Sequence, residues 1–95
     1  MKELDLNIIE NAGFVLVLCY SDTCNKCHFW ESELSKLEWL SIPIWKYNAW
    51  NDPTFCSMYD ITQVPVLMLL ESWRVKKKLD EVQNNEYVLT YFELK

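Results

Sequence analysis

The chain has a single glycine, Gly13, three prolines and one histidine, His28, among 95 residues. With so few glycines and prolines it shows no internal repeat, low-complexity stretch or linker, so it is read as one domain, residues 1–95. No apolar run approaches the ~18 residues of a membrane span; the longest are Phe14 to Tyr20 and Val64 to Leu70. The first eleven residues lack the basic start, continuous apolar stretch and small-residue cleavage site of a secretory signal, so an intracellular, cytoplasmic protein without a membrane association is expected. Positive charge is scarce too. The net charge is -5, and the only concentrated basic run is Lys76-Lys77-Lys78 after Arg74, which argues against a nucleic-acid partner.

What the chain does have is aromatic bulk. Hydrophobic residues make up 51% and aromatic residues 15%, and the large areas that Trp, Tyr and Phe bury offset the poor surface-to-volume ratio of a small domain. Structural disulfides are therefore not required. In a reducing compartment, the close pair among the four cysteines points to redox chemistry or metal binding.

Asp5 to Asn11 reads as a short helix with Asp5 as its N-cap, closing before Gly13. Phe14 to Tyr20 reads as a strand buried on both faces. A helix follows from Cys24, with apolar positions Cys27, Trp30, Leu34 and Leu37 at three- and four-residue spacing. Ile44 to Asn48 is a second strand, and strand, helix and strand at these lengths form a right-handed parallel crossover, which sets the α/β class. Asp52 and Pro53 start a short helix over Thr54 to Tyr59. Val66 to Glu71 is a third strand, Ser72-Trp73 a turn, and Val75 to Val82 a fourth, antiparallel edge strand. Asn84 caps a last helix, Glu86 to Leu94.

The chemistry concentrates at Cys24-Asn25-Lys26-Cys27. By spacing alone this pair suits zinc, haem or redox work. Zinc needs four ligands, nominally Cys24, Cys27, His28 and Cys56, but His28 adjoins Cys27 on a helix and points to another side. Cys27-His28 also completes a haem-attachment pattern, a chemistry tied to export. The position of the pair, directly after a buried strand and at the first turn of a helix, favours redox: the unpaired N–H groups and the macrodipole there favour a thiolate. Cys24 is the better placed nucleophile and Cys27 the resolving thiol one turn away. Lys26 adds electrostatic support.

From Phe14 to Phe92 the sequence resembles the thioredoxin family. Val15 to Tyr20 matches the strand leading to the redox motif, Lys46-Tyr-Asn-Ala-Trp-Asn-Asp-Pro53 the family's Lys-x-Asn-x-Asp-x-x-Pro, and Tyr59-Asp-Ile-Thr-Gln-Val-Pro65 its Tyr-x-Ile-x-x-x-Pro. The resemblance implies a mixed sheet of about four strands flanked by helices, with the N-terminal edge strand absent or very short. It also implies a cis proline at Pro65 facing the redox pair and substrate pairing with the backbone of Val64. Glutaredoxins, the nearest alternative, carry a Gly-Gly-Asp feature where this chain continues Glu71-Ser72-Trp73.

Departures from the family sharpen the expectation. Thr23 stands where the family has a tryptophan wall, Asn25-Lys26 replaces Gly-Pro, and Glu81 lies near a glycine position on the substrate rim. Leu18 replaces the buried aspartate that helps deprotonate the second cysteine, so resolution falls to water or another base. Cys19 and Cys56 read as packing residues, Lys46 as a solvated amine, His28 as a solvated helix residue, and Trp50 as a core residue more readily than a partner surface. The implied activity is protein thiol–disulfide exchange by a monomer without cofactor or metal. The substrate contacts are Thr23, Asn25, Lys26, Val64, Pro65 and Glu81, and a reductase or small thiol is the electron donor. The alternatives are a non-catalytic thioredoxin-fold binding module and a Cys/His metal-binding protein.

Overall fold

A computed structural model describes residues 1–11 and 13–94. Its centre is β2 (Phe14–Cys19), flanked by β3 (Ile44–Tyr47) and β4 (Val66–Glu71). Period-two alternation sends Val15, Val17 and Cys19 to one face and Leu16 and Leu18 to the other, and β2 from Val15 onward is buried on both. The first face is covered by Ile9, from the 3-10 turn Leu6–Asn11, and by Phe55 and Tyr59, from α2 (Pro53–Met58) and its end. The second is covered by Trp30 and Leu34 of α1 (Asn25–Ser35) and Val88 of α3 (Asn85–Tyr91). The result is a sheet between two helical layers.

β2 and β3 run parallel, joined through α1, while β4 and then β5 (Arg74–Leu79) add antiparallel. Beside these four strands the expected N-terminal edge strand is present and very short: β1 (Lys2–Glu3) pairs in parallel with the outer edge of β3, giving the order β1-β3-β2-β4-β5. Two residues carry no legible period, so only the partner edge defines this strand. β5 also stops at Leu79, earlier than the pattern to Val82 predicts, and residues 80–84 turn toward the redox motif.

The helix ends follow local chemistry. Asp52 accepts from the Phe55 N–H at 3.0 Å, and Asn84 accepts from the Tyr87 N–H at 2.8 Å, each supplying an otherwise unpaired helix donor with an acceptor. Asp5 likewise accepts from the Asn7 N–H at 2.9 Å, although the segment it starts is 3-10, not α. In the two-residue turn between β4 and β5, Ser72 and Trp73 both have positive φ, 48° and 72°, as the twist of a tight hairpin demands. For a tryptophan this conformation is uncommon. Stacking of Trp73 on Tyr59, ring centres 6.5 Å apart, and a 3.0 Å hydrogen bond from the Tyr59 hydroxyl to the Trp73 carbonyl hold it.

Candidate redox site

β2 delivers the chain to the site at Cys19 and Tyr20. The Tyr20 N–H donates to the Tyr47 carbonyl at 3.0 Å, and the Cys24 N–H donates to the Ser21 carbonyl at 3.3 Å, closing a tight loop before α1. Asp22 in that loop accepts from the Asn48 side chain at 3.2 Å, tying it to the end of β3. Cys24 is the N-cap of α1, and its Sγ accepts from the Cys27 N–H at 3.1 Å. The two cysteines are joined in a disulfide with Cα atoms 5.2 Å apart. Cys24 is half-buried and Cys27 is 3% exposed, so reagents reach the first sulfur more readily.

A groove of about 550 Å³ opens beside the pair, lined by Lys26, Gln63, Val64, Pro65, Asp80, Glu81 and Val82. The Val64–Pro65 peptide bond is cis. Three segments distant in sequence meet there: the first turn of α1, the loop before β4 and the turn after β5. The groove thus gathers Lys26, Val64, Pro65 and Glu81 from the expected contacts. Thr23 and Asn25 are exposed but line no part of it. Sequence reasoning missed Gln63, Asp80 and Val82, whose only signal is adjacency to Pro65 and Glu81.

Two other expectations need correction. Lys46 is no free amine: its Nζ sits 3.1 Å from Glu31 Oε2 and 3.4 Å from Oε1, with the Tyr20 ring centre at 5.4 Å. Leu18, its register partner on β2, is fully buried and offers no charge, so the amine reaches across to α1 instead. Trp50 is 53% exposed where core packing was expected, because the 3-10 turn Ala49–Asn51 directs Ala49, not the indole, into the core.

The remaining cysteines sit away from the groove. Burial pushes the Cys19 thiol up to about 12, and the nearby Cys56 adds to the shift. Burial also raises Cys56, followed by the charge of Asp52; its Sγ donates to the Ala49 carbonyl at 3.0 Å. His28 is exposed. Among the described residues, no group of three or more His, Cys, Asp or Glu side chains is placed to hold a metal ion, and no helix is long and apolar enough to cross a membrane.

The thioredoxin family model matches residues 2–93. Among solved structures, a mutant thioredoxin from Halobacterium salinarum NRC-1 superimposes with a TM-score of 0.82 at 19% identity, covering 97% of this chain and 85% of that one. Thioredoxin f2 from Chlamydomonas reinhardtii gives 0.80 at 18% identity, covering 98% and 94%. Thioredoxin-2 of the malaria parasite, described as a component of its protein secretion machinery, gives 0.74 at 13% identity, covering 85% and 82%. At these identities the structures establish a shared fold. No curated protein matches the chain by sequence.

Proposed function

The chain belongs to the thioredoxin family, and from that premise we propose that it is a protein thiol–disulfide oxidoreductase in which Cys24 attacks and Cys27 resolves. The observation that carries the reading is Cys24 at the N-cap of α1, its sulfur 3.1 Å from the Cys27 N–H and within bonding reach of the Cys27 sulfur. A helix N-terminus stabilises an anion, so the reduced pair holds its negative charge on Cys24.

In the forward direction the Cys24 thiolate attacks one sulfur of a substrate disulfide. A Cys24–substrate bond forms, the substrate's own S–S bond breaks, and its second sulfur leaves as a thiolate. Cys27, having lost its proton, then attacks Cys24 Sγ. The mixed disulfide breaks, the Cys24–Cys27 bond forms, and the substrate departs with both sulfurs reduced. Two electrons have passed from the pair to the substrate, and a reductase or a small thiol returns them. The groove along Val64 and Pro65 receives the substrate chain, with Lys26, Asp80 and Glu81 on its rim. The protein works as a monomer in the cytoplasm, where a reducing environment keeps Cys19 and Cys56 as thiols.

Dithiothreitol-driven reduction of an intact protein disulfide tests this. Wild type should accelerate it and Cys24→Ser should fall to the uncatalysed rate. No acceleration by wild type would leave only a binding module, and equal acceleration by both proteins would place the activity away from Cys24.

A further inference from the structure

The resolving step needs a proton acceptor, and Leu18 cannot supply one: its side chain is fully buried and apolar. The sheet-facing stripe of α1 runs Cys27, Trp30, Leu34, all buried, and Glu31 flanks that stripe four residues after Cys27. Side chains four apart lie on one helical face, with Cβ atoms about 5–6 Å apart. A helical side chain also leans over the turn N-terminal to its own Cα, which for Glu31 is the turn of Cys27. Ser32 and Ser35 on the same helix are exposed, whereas Glu31 is half-buried, its side chain 27% accessible.

The carboxylate is held from the sheet side. Lys46 Nζ on β3 lies 3.1 Å and 3.4 Å from its two oxygens, and the ring of Tyr20, at the end of β2, lies beneath the same amine. Tyr20 in turn donates its hydroxyl to Glu3 of β1. Tyr20, Glu3 and Asp22 are thus the titratable groups that face the Glu31–Lys46 contact from the sheet side and the loop before Cys24, and His28 lies three residues before Glu31 on α1. One lysine occupies one side of the carboxylate, and each oxygen keeps a lone pair for another proton.

We propose that Glu31, positioned by Lys46, accepts the Cys27 proton during resolution. This rests on the redox reading above. The Cys27 S–H bond breaks toward a Glu31 oxygen, directly or through one water, as the sulfur attacks Cys24 Sγ; the departing substrate thiolate then takes a proton, and Glu31 is returned to its carboxylate by solvent.

The test mixes reduced protein with one equivalent of 5,5′-dithiobis(2-nitrobenzoate) in a stopped-flow instrument. Attack by Cys24 releases one thionitrobenzoate, and resolution by Cys27 releases the second. Glu31→Gln should leave the first phase unchanged and slow the second about tenfold near pH 7, the deficit closing at alkaline pH, where the thiol ionises unaided. Glu31→Asp should recover part of the rate. A second phase within about twofold of wild type near pH 7, or a deficit equal at every pH, overturns the proposal. Wild type alone gives an independent reading, whatever the variants' folding. Its second phase should be nearly flat between pH ~6 and ~8, and a rise of about tenfold per pH unit would mean unassisted ionisation and overturn the proposal. A wild type that releases no second thionitrobenzoate would instead remove the redox reading itself, and this inference with it.

Discussion

The backbone N–H of Cys27 points at Cys24 Sγ from 3.1 Å, so the residue that resolves the disulfide also solvates the residue that attacks. The contact becomes charge-assisted once the pair is reduced and Cys24 is a thiolate. Ultraviolet thiolate absorbance of the reduced protein should show one ionisation below the ordinary thiol value of ~8.5. It should vanish in Cys24→Ser and remain in Cys27→Ser. An ionisation that survives in Cys24→Ser would assign the thiolate elsewhere.

Lys26 sits between the cysteines with its amine on an exposed side chain, where the family places proline. Its charge favours the reduced thiolate form, and the missing ring leaves the first turn less rigid. The pair should therefore be less reducing than ordinary thioredoxin, with a potential above about -270 mV. Lys26→Pro should lower it by roughly 10–30 mV. Equilibration with glutathione measures both, and a wild-type value at or below about -270 mV would contradict the argument.

Cys19 is fully buried and its thiol is pushed up to about 12, so at neutral pH it holds almost no thiolate. N-ethylmaleimide added to the reduced native protein should modify Cys24 within seconds and Cys56 more slowly. Cys19 should react only after denaturation. Peptide mass mapping reads the order, and early labelling of Cys19 would show that β2 opens far more readily than its packing implies.

Two carboxylates tie acid stability to named contacts. The Tyr47 hydroxyl first, and then the Phe55 N–H, hold Asp52 below the usual carboxylate range; Lys36 first, and then Asn85, do the same for Glu33. A carboxyl lowered in the folded state contributes stability that is complete above its ordinary pKa of about 4 and is lost as pH falls through the folded value. Asn at position 52 keeps the cap and removes the charge. The denaturation midpoints of wild type and Asp52→Asn should thus lie apart at neutral pH and converge below about pH 4. A gap that stays constant would locate the effect in shape, not charge.

Much of this arrangement is legible in the sequence alone, for local reasons. β2 and β4 are apolar runs that open after Gly13 and Pro65, and α1 carries a helical stripe that starts at a cysteine, so each element is written in its own residues. The helix starts at Asp52 and Asn84 follow from short-range hydrogen bonds. What escapes reading is long-range. β1 is two residues whose strand character comes from the edge of β3. The Glu31–Lys46 contact joins two layers across fifteen residues of sequence, and nothing near either residue announces it. The groove exists only where Lys26, Pro65 and Glu81 converge. Trp50 shows the limit from the other side: a tryptophan reads as core by its chemistry, and a three-residue turn exposes it.

The direct test of thiol–disulfide exchange through Cys24 is to trap its intermediate. Cys27→Ser, reduced and mixed with a disulfide-containing protein, should accumulate a covalent complex that dithiothreitol dissolves and that peptide mapping places on Cys24. No complex, or one mapped to Cys56, would contradict the account.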